Sequence, residues 1–342
     1  MNGPRPDLAG VGEAMVLLQP PAGGALATAG HLEVHVGGAE LNACAAVARL
    51  GLRAWFASRV GDDPFGTRVV EQARTLDVGT GLVTVDPDRP TGVFFKDALP
   101  DGRRRVHYYR SGSAASALDV PDAARILAAR PRALLVSGIT VALGPSPAAL
   151  VRDLTARARG AGSAVVLDPN LRPALGSYAT VLETLRSLLP AVDLLALGQD
   201  ESAELLGTTD PAEVFAAARA AGVREVLLKA GPDGVWYAGD GGAPRHEPSA
   251  AERVVDPVGA GDAMLGGYLA ARLAGAPPAA AARLGSRLAA GVIATVGDTT
   301  GLPGREEARA LLATATAGTG GGAGDQDGER DASGDGGRIA FT

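Results

Sequence analysis

The sequence predicts an α/β fold: a doubly wound, mostly parallel sheet flanked by helices, with a small second β-sheet set against it. Three observations carry this reading. Short apolar runs recur at residues 133–136, 164–167, 194–197 and 226–228. Stretches of helical length, rich in Ala, Leu and Arg, lie between them at 146–160, 179–189 and 211–221. In the first third, two β-like runs at 91–96 and 106–110 flank the turn signal Leu99-Pro100-Asp101-Gly102.

Continuous apolar runs of this length suit strands buried on both faces, and a helical crossover lets each strand follow the last in parallel. The two β-like runs read as a hairpin, joined by an earlier piece at 32–36, that projects from the core where it can cover a ligand. The expected organisation is one domain over residues 1–317, with a lid sheet from segments near 13–19, 31–37 and 91–110. Beyond it, residues 318–342 are mostly Gly and Asp. They hold too little apolar surface to offset chain entropy and read as a disordered tail. Ligands of doubly wound sheets bind beyond the carboxyl ends of the strands. Polar residues stand there: Asp168-Pro169-Asn170, Asp200-Glu201 and Lys229.

Composition removes several functional classes. The chain has 342 residues, 46% hydrophobic and 20% charged, an ordinary globular balance. Its net charge of −6 argues against a nucleic-acid partner. Arg103, Arg104 and Arg105 make one short basic run that reads as a turn flank. The single cysteine, Cys44, lies among alanines and reads as a buried core thiol, so neither an internal disulfide nor a thiolate zinc site is expected. No basic-then-apolar leader opens the chain and no run of about 18 apolar residues occurs, so neither secretion nor a membrane span is expected. A reducing cytoplasm fits. The four histidines show no metal-ligand spacing.

The chemistry concentrates in Asp256-Pro257-Val258-Gly259-Ala260-Gly261-Asp262-Ala263, which runs into the helix-compatible stretch Met264, Leu265, Tyr268, Leu269. Gly259 and Gly261 permit a tight turn and bare N–H groups, and a helix starting here adds unpaired donors and a positive dipole end. Gly259, Ala260 and Gly261 thus form an anion hole for phosphate charge. A carboxylate at its mouth repels phosphate but is suited to take a proton from an attacking hydroxyl, which makes Asp262 the candidate base. The plainer alternative is a Gly-rich loop capped by Asp262.

The stretch Asp256–Ala263 resembles the C-terminal signature of the ribokinase-like, or PfkB, carbohydrate kinase family. Gly37-Gly38-Ala39-Glu40-Leu41-Asn42, followed by an Ala-rich helix ending at Leu50-Gly51, resembles its N-terminal signature. The resemblance runs from about Leu8 to Leu312. It implies a Rossmann-like core with a β-sheet lid, ATP and Mg²⁺ as cofactors, Asp262 as base and Gly259–Gly261 as anion hole. Gly37 and Gly38 would be the lid-hinge glycines beside the sugar, with freedom of φ and ψ and room for close backbone approach, and Asn42 would point back toward it. Lys229-Ala230-Gly231-Pro232-Asp233-Gly234 matches the family's turn beside nucleotide phosphate, giving Asn170, Lys229, Gly231 and Gly234 as nucleotide-binding residues along with Gly259 and Gly261. Glu201 matches the glutamate that organises Mg²⁺ through water, and Asp256 marks a monovalent cation (K⁺) site.

A finer resemblance, to 2-keto-3-deoxygluconate kinases, lies in Tyr108-Tyr109-Arg110-Ser111-Gly112-Ser113, in Asp168-Pro169-Asn170-Leu171-Arg172-Pro173, and in Gly297-Asp298 ahead of Gly301-Leu302-Pro303. An aldonic acid carries a carboxylate, which the planar fork of arginine suits. Strand alternation puts Tyr108 and Arg110 on one face, and Arg172 follows a core strand and can reach the same pocket. The plainer alternative for Arg110 is a solvated hairpin charge. Three places depart from the family: Gly198 replaces an asparagine beside Glu201, Phe94 replaces a substrate-contacting tyrosine, and Ala174-Leu175-Gly176 follows Arg172-Pro173 where the family often has a tryptophan. The expectation is therefore ATP-dependent phosphorylation of a keto-deoxy sugar acid. A kinase of neutral sugars or nucleosides and a non-catalytic binding protein on the same fold are the alternatives, and a homodimer through the lid is implied by the family. A dinucleotide oxidoreductase ranks last, because Gly10-Val11-Gly12 lacks the full spaced-glycine fingerprint.

Overall fold

A computed structural model describes residues 5–21, 24–98, 104–172, 178–239 and 241–317. The turn at Leu99–Gly102 and the tail at 318–342 lie outside these. In chain order the strands are β1 (Leu8–Val11), β2 (Met15–Gln19), β3 (Glu33–Gly37), β4 (Ala54–Gly61), β5 (Gly79–Asp86), β6 (Val93–Ala98) and β7 (Arg104–Tyr109). Then come β8 (Ala133–Ser137), β9 (Ala164–Asp168), β10 (Leu194–Gly198), β11 (Glu225–Lys229), β12 (Val235–Ala238) and β13 (Arg245–Glu247).

Nine strands form the main sheet in the order β13-β12-β11-β10-β9-β8-β1-β4-β5. From β11 to β5 every pairing is parallel, and β12 and β13 run antiparallel at one edge. The four apolar runs are β8 to β11. In β8 and β9 every residue is buried, as an all-apolar strand covered by helices on both faces must be. Alternate residues feed two separate cores. Leu135, Val166, Ala196 and Leu227 face one, with Tyr268, and Leu134, Val165, Leu195 and Leu228 face the other. The winding direction reverses where β8 pairs β1, since β1 neighbours β8 on one side and β4 on the other. A crevice therefore opens at the carboxyl ends of these strands.

The second sheet has the order β3-β2-β6-β7. The hairpin of β6 and β7 is in register from Val93↔Tyr109 to Ala98↔Arg104. Met15, Leu17 and Phe94 bury one another beneath it, with Tyr108 stacked on Phe94 at 6.0 Å between ring centroids. Strand β7 ends at Tyr109, one residue earlier than the β-like run, which leaves Arg110 on the connection leading back to the core.

Candidate active site

The carboxyl ends of β8 to β11 and the lid enclose a cavity of about 810 Å³. Its lining includes Gly37, Gly38, Asn42, Phe94, Tyr108, Arg110, Asn170, Arg172, Glu201, Lys229, Gly231, Gly259, Gly261 and Asp262. Residues separated by more than 220 positions are thus brought together. A second cavity of about 380 Å³ adjoins it, between the Gly231–Asp233 turn and the helices Ala260–Leu273 and Pro278–Ile293. Lys229, Gly231, Pro257 and Gly261 line both. The smaller one also takes in Gly234, Ala260, Met264, Ala290 and Ile293, a mostly apolar wall.

The helix Ala260–Leu273 starts at the junction of the two cavities. Its cap, Gly259, has φ 83°, and a Cβ there would lie 2.7 Å from the Asp298 carbonyl oxygen, so both backbone angle and space require glycine. The first turn-to-turn bond runs from the Ala263 N–H to the Gly259 carbonyl at 2.9 Å. The N–H groups of Gly261 and Asp262 precede it and are free of the helix ladder, as the first turn of any helix demands.

Asp262 occupies that first turn. Its Oδ2 accepts a hydrogen bond from Asn42 Nδ2 at 2.8 Å. Burial pushes its carboxyl up to about 7. The charges of Asp168 and Asp298 act in the same direction, while the Asn42 amide and Lys229 hold it down. Asn42, expected to point toward the sugar, lines the larger cavity and spans two carboxylates, since its Nδ2 also lies 3.4 Å from Asp298 Oδ2.

Lys229, at the end of β11, donates to Asp168 Oδ1 and Oδ2 at 3.1 and 3.0 Å. Burial opposes its charge, but Asp168, with Glu201 and Asp262 further off, keeps its pKa above the ordinary lysine value. Asp168 is raised in turn, because burial outweighs the lysine. Asn170, two residues on, is buried with φ 40°, a sparsely populated angle for a non-glycine residue. Gly231 and Gly234 also have positive φ, 57° and 98°. A Cβ on Gly234 would strike the Glu247 carbonyl at 2.2 Å.

Arg110 is not a solvated charge. It is 8% exposed, and its Nε lies 2.6 Å from Oε2 of the equally buried Glu13. The angle is not that of a hydrogen bond: Nε, Nη1 and Nη2 are all buried without a hydrogen-bond partner among the described residues. Tyr108 stands beneath the guanidinium at 5.7 Å from ring centroid to Cζ. Glu13 also accepts from Ser113 Oγ, and burial raises its pKa despite Arg110. Arg172 lines the same cavity but is exposed, its Nη1 donating to the Leu171 carbonyl.

Expected site residues at three places take specific positions. Paired glycines at 37 and 38 were expected for torsional freedom and close backbone approach; Gly38 has φ 174°, an extended angle open to any residue, so close approach is the part that applies there. Space is the reason: a Cβ on Gly38 would lie 2.6 Å from the Glu13 carbonyl and 2.9 Å from Ala14 Cα. On Gly37 it would meet Asp298 Oδ2 at 3.0 Å and Phe94 at 3.2 Å. Glu201, expected to organise a metal, is engaged by backbone donors, with Oε1 accepting from Leu171 N–H at 2.8 Å and Oε2 from Gly198 N–H at 2.6 Å. It ties the β9 loop to the start of the helix Gln199–Leu206. Asp256 is buried, accepts from Val258 N–H at 3.2 Å and is not among the residues lining either cavity. Among the described residues no group of three or more His, Cys, Asp or Glu side chains could hold a metal ion unaided.

Sequence reasoning missed Glu13 and Lys96, and left Asp168 and Asp298 without roles. All but Asp168 line the larger cavity, and Asp168 meets it through Lys229. The signal for Lys96 was present, since alternation along β6 puts it on the same face as Phe94.

A nine-stranded α/β sheet, a strand lid and a Gly-rich helix start carrying a buried carboxylate define a phosphotransferase of the sugar-kinase class. The chain belongs to the pfkB family of carbohydrate kinases, whose pattern matches residues 5–305. It is 35% identical over 311 residues to a 2-dehydro-3-deoxygluconokinase from Thermoproteus tenax, covering 89% of this chain and 94% of that one. It is 30% identical over 303 residues to the enzyme of the same name from Bacillus subtilis, covering 88% and 94%. A solved PfkB protein from Polaromonas superposes with a TM-score of 0.77 at 31% identity, covering 89% of this chain and 99% of the other. Among the described residues no helix is long and apolar enough to cross a membrane.

Proposed function

We propose that the chain transfers the γ-phosphoryl group of ATP to a primary hydroxyl of a keto-deoxy sugar acid, with 2-keto-3-deoxygluconate (the 2-dehydro-3-deoxygluconate of the relatives' names) as the leading candidate. The observation that carries this reading is Arg110, a buried guanidinium with three nitrogens lacking hydrogen-bond acceptors at the wall of the larger cavity. Glu13 balances its charge at Nε, and the planar fork of Nη1 and Nη2 is left for an anionic ligand with paired oxygens. A neutral sugar offers none. Arg172 supplies a second cation, and Gly37, Gly38, Asn42, Phe94 and Tyr108 shape the remaining wall.

In the proposed reaction the sugar hydroxyl oxygen attacks the γ-phosphorus. Its proton passes to Asp262, the new P–O bond forms, and the bond to the β–γ bridging oxygen breaks to release ADP. Free N–H groups at Gly261 and Asp262, in the anion hole opened by Gly259 and Ala260, receive the oxygens of the transferring group. Lys229 adds a positive charge at the junction of the cavities. The smaller apolar cavity takes the adenine, with Gly231 and Gly234 giving its loop close approach and Asn170 held at the phosphate side. Mg²⁺ would accompany the nucleotide, with Asp168 and Glu201 as the nearby carboxylates, and would supply charge neutralisation there. The reading needs no K⁺ at Asp256. It includes a homodimer through the lid, on which Val34 and Tyr109 are 37% and 66% exposed.

An ATP-consumption panel of 2-keto-3-deoxygluconate, 2-keto-3-deoxygalactonate, fructose and ribose tests this. The acids are expected to give kcat/KM at least ~10² above the neutral sugars, and Arg110→Met to remove about that factor, the worth of hydrogen bonds to a charged group. Equal turnover of neutral sugars would overturn the acid assignment. Nucleotide binding without turnover of any acceptor would leave a binding protein on a kinase fold.

A further inference from the structure

One side chain of the lid has no part in the scheme above. Lys96 on β6 is 5% exposed, although lysine is among the residues least often buried. Its Nζ lies 3.2 Å from Asp298 Oδ1. The other oxygen of Asp298 lies 3.4 Å from Asn42 Nδ2, and that nitrogen donates to Asp262 Oδ2 at 2.8 Å. A continuous polar chain therefore runs from lid to base: Lys96, Asp298, Asn42, Asp262. Its second link is anchored to the anion hole as well, because the Asp298 backbone packs so closely on Gly259 that no Cβ fits between them.

The components belong to separate parts of the fold. Lys96 rides on the lid, Asp298 on the segment after the helix Pro278–Ile293, Asn42 on the helix Ala39–Arg49 and Asp262 on the helix Ala260–Leu273. A single amide, Asn42, is shared by two carboxylates. With Lys96 in place, Asp298 is neutralised from the lid side and the amide sits closer to Asp262, at 2.8 Å against 3.4 Å to Asp298. With Lys96 withdrawn, Asp298 becomes an uncompensated negative charge that both competes for the amide and repels charge on the base.

We propose that Lys96 is a positioning residue that couples lid closure to the base: seating the lid brings its ammonium onto Asp298, which weakens the pull of Asp298 on the shared Asn42 amide and biases it toward holding Asp262 in its proton-accepting orientation. The base would then be fully competent only beneath a closed lid, when a sugar is enclosed. This rests on the kinase reading above and adds to it a residue and a linkage.

The test is the pH profile of kcat, measured with the best acceptor of the panel, for Lys96→Met, Lys96→Arg, Asp298→Asn and the Lys96→Met/Asp298→Asn pair. The charged groups facing Asp262 are Asp168 on β9, Lys229 on β11 and Asp298. Only the last is in contact with Lys96, and the first two are untouched by these changes. Lys96→Met is expected to lower kcat about 10-fold and move the acidic limb up by roughly half a pH unit, since Asp298 then acts unscreened. Lys96→Arg restores kcat to within about threefold, because it returns the charge. Asp298→Asn moves the limb down, and in that background Lys96→Met costs nothing further, as members of one chain are not additive. Losses that multiply in the double variant, or a Lys96→Met enzyme with a wild-type limb whatever its melting temperature, would overturn the coupling. A wild-type chain that phosphorylates nothing would instead defeat the kinase reading itself.

Discussion

At the scale of the residue, Asp262 concentrates the argument. A buried carboxyl raised to about 7 is poised to accept a proton near neutral pH, where a general base is most effective. Asp262→Asn is expected to lower kcat by roughly 10²–10⁴ while ATP binding is retained. Wild-type turnover in that variant removes Asp262 from the chemistry. The base acts deprotonated, so wild-type kcat should rise with pH through about 7. Stability runs the opposite way. The folded carboxyl titrates above its ordinary 3.8, so the folded state binds the proton more tightly than the unfolded chain does. That contribution is complete below the ordinary value and is lost as pH rises through about 7. Asp262→Asn removes the buried charge and should therefore melt higher than wild type at alkaline pH, with the gain shrinking as pH falls below about 7. A constant difference across the range would show that desolvation of Asp262 is not its source.

At the scale of the element, the lid joins the core through places where backbone passes backbone. The approach of Gly38 to Glu13 and Ala14 leaves no room for a methyl group, and the atoms in the way are main-chain atoms that cannot rotate aside. Gly38→Ala is expected to cost ~1–3 kcal/mol of stability by overpacking and to raise the sugar KM more than the ATP KM. Chemical denaturation and two-substrate kinetics check this, and a neutral substitution would mean the lid hinges elsewhere. The glycine pair and its close backbone approach were legible in the sequence, but not what it approaches, because φ at Gly38 is ordinary and the constraint comes from the connection between β1 and β2, 25 positions earlier. The same distance in sequence hid the ion pairs. Glu13 meets Arg110 and Lys96 meets Asp298 across loops that no local pattern spans. What the sequence did show was what repeats locally: four buried strands, their crossover helices, and a Gly-rich helix start. The antiparallel strands β12 and β13 escaped because they are only four and three residues long, and β13 is made of polar, largely exposed residues.

At the scale of the whole molecule, two cavities share a wall made by Lys229, Gly231, Pro257 and Gly261, with the anion hole at the junction. The polar one opens under the lid, and the apolar one lies among the helices Ala260–Leu273 and Pro278–Ile293 with no lid residue in its lining. The two substrates should therefore be separable by mutation. Ala290 lies on the apolar wall and is half-buried, and no residue of the lid reaches that cavity. Ala290→Phe places a ring in a space of about 380 Å³ that the proposed adenine must fill, while every residue around Arg110 and Asp262 keeps its neighbours. The expected result is an ATP KM raised at least ~10-fold, because a group excluded from an apolar pocket forfeits ~1.5–3 kcal/mol of burial. The KM for the sugar acid should change by less than about twofold, as sites without shared partners behave additively. If both constants rose together, the two cavities would have to be one binding unit, and the nucleotide would have to enter from the lid side.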